Sequence, residues 1–141
     1  MPDKATIVEL PDVNLVVSRA DSFPEGIEAA WKTLESKLTS LKGRKFYGLT
    51  VCEGDGLAYF AGVEATDDEE VARLGLPAMA IKGGRYARAR LTDWHNHKDE
   101  IGRIFDRLMQ DYDMDPNGVS VEFYRSQSEL HLLIPLAQHR E

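Results

Sequence analysis

Arg85-Tyr86-Ala87-Arg88-Ala89-Arg90-Leu91-Thr92-Asp93-Trp94 decides how the chain folds, because the hydrophobic period changes at its end. From Ala87 to Leu91 apolar and polar residues alternate, and with Arg85-Tyr86 ahead of them the run predicts a β-strand over 85–91. Thr92 or Asp93 then offers a helix cap. Beyond it Trp94, Ile101, Phe105, Leu108 and Tyr112 form the inner stripe of an expected helix. Asp115-Pro116-Asn117-Gly118 breaks the chain, and strands are expected over 119–125 and 130–136. Upstream, Gly83-Gly84 separates the first strand from another over 78–82.

The same order occurs earlier in the sequence. Two β-branched runs, 6–8 and 13–17, flank the turn at Pro11-Asp12. Asp21 or Ser22 is a cap candidate, Pro24 suits a first turn, and Ile27, Trp31, Leu34, Leu38 and Leu41 recur at helical spacing up to a stop at Gly43. Strands over 45–53 and 57–65 follow, joined by Gly54-Asp55-Gly56, a hairpin signal. The acidic run 67–70 separates the copies, whose closing strands lie about 72 residues apart. The expectation is one α+β domain over 1–141, a duplicated strand–helix–strand–strand module with halves at about 5–66 and 77–137. Its antiparallel sheet carries two long helices on one face, with a cleft between the halves suited to a small molecule.

Composition narrows the function classes. The 141 residues are 43% hydrophobic and 29% charged, a balance that supports a packed core rather than disorder. No apolar run has the length of a membrane span, and Met1-Pro2-Asp3-Lys4 opens no signal peptide, so a cytoplasmic chain without a membrane partner is expected. Seventeen Lys and Arg against 24 Asp and Glu give a net charge of −7, which disfavours nucleic acid and favours cations. Cys52 is the single cysteine, so no internal disulfide and no Cys-based zinc cage can form. It has no activating cation nearby in sequence.

Gly75-Leu76-Pro77, the run Ile81 to Ala87, Trp94, Ile104-Phe105-Asp106-Arg107-Leu108, Val121-Glu122-Phe123-Tyr124 and Leu133-Ile134-Pro135-Leu136 together resemble the GyrI-like small-molecule-binding family. That domain also forms the effector-binding part of AraC- and MerR-type bacterial regulators. Val8-Glu9-Leu10-Pro11, the Trp31 helix and the segment 59–63 carry a looser likeness in the first half. With no helix-turn-helix ahead of these motifs, the resemblance implies a stand-alone binder, including multidrug binding.

Glu122 is the leading site candidate. Alternation puts Val119, Val121 and Phe123 on one face of its strand and Ser120, Glu122 and Tyr124 on the other. That pattern alone also describes a strand with one solvated face. The resemblance implies instead that the carboxylate lies inside the pocket, where aromatic walls would disfavour its uncompensated charge and so favour a lipophilic cation. Trp31 and Trp94 on the helical stripes, with Tyr59, Tyr86 and Tyr124 on strands, are candidate ligand-stacking rings; core packing is the competing reading. His97 is expected at the cleft mouth. His95 and His97 diverge on a helix and have no further ligands at a metal-site spacing, so no metal and no cofactor are expected. Arg88 and Arg90 share a face while Arg85 does not, a short basic stripe that the net charge keeps from reading as nucleic-acid binding. Gly83-Gly84 lacks the residues of a phosphate loop, and no serine has a nucleophile-elbow context.

Two functions use the same residues. One is a binding module that captures hydrophobic, aromatic or cationic compounds beside a central carboxylate. The other, implied by the resemblance, is a hydrolase that opens cyclopropyl rings of DNA-alkylating natural products, with Glu122 and Tyr124 positioning water. The residues leave both open, and they leave open a protein partner or a homodimer.

Overall fold

A computed structural model describes residues 5–54 and 56–137. Met1-Pro2-Asp3-Lys4, read above as opening no signal peptide, and Asp55 of the expected hairpin turn lie outside the described residues. The fold is α+β, with antiparallel strands and three helices. The chain separates into an inserted unit, Asp12–Lys82, and a flanking unit formed by the segment ending at Pro11 and the segment beginning at Gly83.

In the inserted unit the strands are β2 (Val13–Arg19), β3 (Phe46–Glu53), β4 (Gly56–Glu64) and β5 (Ala78–Ile81), with helices α1 (Ile27–Ser36) and α2 (Asp68–Leu74). Their order is β5-β2-β4-β3, all antiparallel. Ala30 and Leu34 of α1 pack on Val16, Tyr59, Ala61 and Val63, so the expected stripe does meet a sheet. The flanking unit comprises β1 (Thr6–Leu10), β6 (Gly84–Thr92), α3 (Ile101–Asp111), β7 (Ser120–Tyr124) and β8 (Glu129–Pro135). Its order, β1-β6-β8-β7, repeats that of the inserted unit. Ile104 and Leu108 of α3 pack on Ala87, Ala89, Leu91, Leu130, Leu132 and Ile134.

The leading strand of each sequence repeat is exchanged. β1 pairs with β6, from Thr6 opposite Arg88 to Leu10 opposite Gly84, while β5 pairs with β2, from Val13 opposite Ile81 to Val16 opposite Ala78. Each unit therefore holds four strands and one long helix, but takes its edge strand from the other copy of the motif.

Both long helices are shorter than expected. A turn closed by Gly26 N–H donating to the Ser22 carbonyl at 3.1 Å precedes α1, so neither Asp21 nor Ser22 caps it. A Cβ at Gly26 would lie 2.8 Å from the Ser22 backbone, which is why glycine stands there. At the other end the helix stops at Ser36 rather than running to Gly43. The Ser36 hydroxyl donates to the Thr33 carbonyl at 2.7 Å, and Ser40 Oγ accepts from Lys42 N–H at 3.2 Å. Such serine contacts compete with the helical ladder, and Leu41 is left exposed. The acidic run 67–70 proves to be the start of α2. Asp67 caps it by accepting from Glu70 N–H at 2.8 Å, and Gly75 ends it at φ 66°.

Tyr47 on β3 gives the fold a sensitivity to alkali. Burial, followed by the Glu64 carboxylate, pushes its hydroxyl up from 10.0 to about 12. The unfolded phenol loses its proton first, so this residue's contribution to stability is intact below about pH 10 and declines as pH rises toward 12. Tyr47→Phe is expected to lose less stability than wild type across that interval. Urea unfolding at about pH 9 and about pH 11.5 checks it; parallel losses in both proteins would contradict it.

Candidate functional site

Register places Glu122 and Tyr124 on the face of the flanking sheet that α3 covers. Glu122 lies opposite Leu132 and Tyr124 opposite Leu130, and both leucines belong to the core beneath α3. Val121 and Phe123 face the other way, as alternation requires. Glu122 is half-buried, at the β7 margin of the four strands. Tyr124 bends back along its own strand and its hydroxyl donates to Glu122 Oε1 at 2.8 Å. The carboxylate thus carries a phenolic donor on one oxygen.

Trp94 stands beside this pair, although not on the helix that was expected to carry it. Residues 94–96 and 98–100 form two single-turn 3₁₀ helices, and α3 begins only at Ile101. Asp93 adopts a left-handed conformation at φ 53°, a region aspartate tolerates better than most residues, and turns the chain sharply after β6. Its N–H donates to the Ser128 carbonyl, and its carboxylate accepts from Asn96 Nδ2 at 3.0 and 3.2 Å. The turn is therefore tied to the β7–β8 loop. The Trp94 indole N–H donates to the Ser126 carbonyl at 3.3 Å, and the ring meets Tyr124 edge-on at 5.2 Å between centroids. His95 stacks on Trp94 at 3.7 Å, and Lys98 Nζ lies 5.9 Å from the indole centroid.

The structure thus gathers Glu122, Tyr124 and Trp94 in the flanking unit. His97 is engaged elsewhere: its Nδ1 lies 2.6 Å from Glu100 and its Nε2 3.9 Å from Asp93. Tyr86 is buried on the opposite face, because its neighbour Ala87 is the one that joins the α3 core. In the inserted unit, Trp31 and Tyr59 form a second pair. The Trp31 indole donates to the Tyr59 hydroxyl at 3.0 Å, Phe46 meets Trp31 edge-on at 6.0 Å, and Phe23 lies 6.2 Å from Tyr59. Ser126, Phe23 and Phe46 were not anticipated, and Asp93 was expected only as a cap of the long helix, which instead begins at Ile101 and is capped by neither Thr92 nor Asp93. Ser126 acts through a backbone carbonyl, which no side-chain pattern signals. Phe46 carried a signal: it opens a strand whose β4 partner, Val63, lies on the Trp31 side.

Among the described residues no cluster of His, Cys, Asp or Glu is arranged to hold a metal ion, and no helix is long and apolar enough to cross a membrane. The Glu122 arrangement has three chemical capacities: a carboxylate for charge, a phenol as donor and acceptor, and an aromatic wall of Tyr124 and Trp94, whose indole His95 stacks on.

No family model and no curated protein matches the chain. Its fold is shared with solved structures. The protein SAV2435, solved bound to tetraphenylphosphonium, superposes with a TM-score of 0.73 at 12% identity over 96% of this chain and 94% of that one. An integron cassette protein from the mobile metagenome of Vibrio cholerae gives 0.62 at 17% identity, over 94% and 95%. A hydrolase encoded by lin2189 from Listeria innocua gives 0.60 at 11% identity, over 95% and 92%. At such identities these neighbours show the fold alone.

Proposed function

We propose that the chain is a GyrI-like small-molecule-binding domain that captures hydrophobic, aromatic or cationic compounds beside Glu122. The observation that carries this reading is the half-buried carboxylate with Tyr124 on its oxygen and Trp94 against the Tyr124 ring. A lipophilic cation placed there gains a carboxylate counter-charge and two aromatic contacts, each cation–π contact contributing about 0.5–2 kcal/mol. A neighbour of the same fold solved with tetraphenylphosphonium supports the choice of ligand class. Trp31, half-buried, is proposed as a second ligand-contacting ring, tested separately; Tyr59, 2% exposed in the core beneath α1, holds its indole N–H through the hydroxyl. Tyr86 and His97 stay outside the proposed set because of their face and their existing partners.

The sequence has two tryptophans, so each can be isolated as a reporter. In Trp31→Phe, tetraphenylphosphonium is expected to quench the remaining Trp94 emission, while tetraphenylborate, of equal shape and opposite charge, leaves it unchanged. Trp94→Phe reports on Trp31 in the same way. An equal response of Trp94 to both ions, or none to either, would overturn the assignment.

A hydrolytic reading rests on the same Tyr124–Glu122 hydrogen bond, a carboxylate–phenol pair able to orient water, and on the Listeria neighbour described as a hydrolase. Incubation with a cyclopropyl-bearing alkylating compound, followed by mass spectrometry for a water-added product, separates it from binding alone.

A further inference from the structure

Strand β5 is the outer edge of the inserted unit, paired with β2 on one side and with no described strand on the other. The ladder fixes which of its backbone groups are open. Val17 N–H donates to the Pro77 carbonyl at 2.9 Å, and Ala65 N–H, just past β4, donates to the Asn14 carbonyl at 3.0 Å. Antiparallel pairing alternates, so Met79 and Ile81 turn their N–H and C=O groups to β2, while Ala78 and Ala80 turn theirs outward. Both alanines are exposed. Open edges are usually guarded by a charged side chain, a proline or a bulge within the strand. Ala78-Met79-Ala80-Ile81 contains no charge and no proline, and its register with β2 is unbroken.

The small side chains leave room beside this edge. Ala78 lies opposite Val16 and Ala80 opposite Asn14, which puts both alanines on the sheet face against which α1 and Leu74 of α2 pack. A groove of about 510 Å³ opens there between β5 and the start of α2. Its lining includes Asn14, Ala78 and Ala80 on the sheet side and Asp67, Asp68 and Val71 on the helix side, with no Lys or Arg. Asp67 Oδ1 accepts from Glu70 N–H as the α2 cap, and the side chains of Asp67 and Asp68 are exposed at the rim.

We propose that β5 is a docking edge for a short, extended, basic segment of a partner protein, which adds antiparallel to Ala78–Ile81 and lays alternate Lys or Arg side chains toward Asp67 and Asp68. Partner residues opposite Ala78 and Ala80 each exchange a pair of backbone hydrogen bonds with them, and the two-residue period puts their side chains on the groove face. The residue between them turns to the other face. A second copy of the chain fits this edge less well. Pairing β5 with itself brings two acidic rims together between molecules of net charge −7, and the other edge strand, β1, carries Glu9. The edge is independent of the ligand proposed at Glu122.

The probe is an acetylated, amidated pentapeptide with arginine at its second and fourth positions, valine between them and threonine at both ends. It is titrated at constant ionic strength while the backbone amides are followed by nuclear magnetic resonance. The Ala78 and Ala80 amide signals are expected to move downfield and saturate, with a dissociation constant on the order of 0.1–1 mM. Methylating the two arginine amide nitrogens of the peptide keeps its charge and removes its donors, and is expected to weaken binding about tenfold or more. The same peptide with glutamate for arginine is expected not to bind. Ala80→Pro deletes an N–H that β2 does not use, so the protein should keep its circular dichroism spectrum and bind the probe about tenfold more weakly. Asp68→Asn leaves the strand untouched and should weaken the arginine peptide about threefold. Unmoved Ala78 and Ala80 signals overturn the proposal, as does undiminished binding by the methylated peptide, the glutamate peptide or either variant. Sedimentation of the free protein as a dimer, with these two amides already protected from exchange, also overturns it and assigns the edge to a second copy.

Discussion

Arg44→Ala is expected to cost about 3 kcal/mol of folding stability, the largest single-residue loss we anticipate outside the apolar core. Arg44, in the loop between α1 and β3, reaches α2 and grips both oxygens of Glu70; its Nη2 also donates to the Glu64 carbonyl at 3.1 Å. The Glu70 side chain is 7% exposed and that of Arg44 16%. Glu70 Oε1 additionally accepts from Thr66 N–H at 3.2 Å. Arg73 reaches the same carboxylate at 3.3 Å but is 65% exposed, so solvent screens most of its contribution. Removing Arg44 therefore leaves a buried carboxylate with one weak counter-charge. The loss would show as a drop of roughly 10 °C in melting temperature. Burial by itself would raise the Glu70 carboxyl, but the Arg44 hydrogen bonds, the Thr66 N–H and the charges of Arg44 and Arg73 together hold it below its ordinary 4.5. A lowered folded-state value means stability that is present above about pH 4.5 and disappears as pH falls through that lower value. Arg44→Ala should accordingly flatten the acid limb of the stability profile. Replacing both Arg44 and Glu70 by methionine should recover most of the loss, because no charge is then left buried. Urea unfolding of wild type and the two variants at about pH 7 and about pH 3 checks all of this. A loss below about 1 kcal/mol for Arg44→Ala would mean that the pair is solvated in solution.

This ion pair shows where the sequence stopped being readable. The strand–helix–strand–strand order was legible because alternation at 87–91 and the stripes at Ile27–Leu34 and Ile101–Leu108 are local patterns. Helix α2 was missed because its seven residues carry one turn's worth of apolar signal, Val71 and Leu74. Its capping evidence, Asp67 followed three residues later by Glu70, reads as a plain acidic run unless the long-range Arg44 partner is known. The ends of α1 went wrong for the opposite reason. Leu38 and Leu41 continue the helical stripe in sequence, yet Ser36 and Ser40 divert the hydrogen bonds that would continue the helix. The exchange of β1 and β5 between the repeats was hidden as well. Adjacent strands in sequence suggest a hairpin, and only cross-strand register shows that Thr6 meets Arg88 while Val13 meets Ile81.

The candidate site divides along the same line. That Glu122 and Tyr124 share a face followed from alternation alone. That Trp94 reaches Tyr124 depended on Asp93 entering the left-handed region and on a carbonyl of the β7–β8 loop, neither of which the helical stripe encodes. The stripe placed Trp94 on α3 when it belongs to the turn before it. Tyr86 drew attention through the motif it resembles, but strand parity assigns it to the far face, a consequence already available from its odd spacing to Ala87 and Ala89.

Glu122→Gln is expected to weaken tetraphenylphosphonium binding by roughly 1–3 kcal/mol, about 5- to 150-fold, while leaving a neutral aromatic ligand of similar size nearly unaffected. Glutamine preserves the shape and can still accept from the Tyr124 hydroxyl through its amide oxygen, so the aromatic wall that Tyr124 and Trp94 form should persist. What disappears is the full negative charge, which at a half-buried position interacts with a nearby cation several-fold more strongly than it would in bulk water. Tyr124→Phe provides the complementary change. It removes the donor from Glu122 Oε1 and leaves the charge and the ring, so cation binding should hold or strengthen while any water-positioning role is lost. If the protein is a hydrolase, the two variants diverge differently: both should lower turnover of a neutral cyclopropyl substrate with little effect on its binding. Calorimetric titration of wild type and the two variants with matched cationic and neutral ligands, alongside the turnover assay, distinguishes the outcomes. Equal affinities for the cation in wild type and Glu122→Gln, with no turnover in either, would place Glu122 among ordinary solvated carboxylates and remove it from the site.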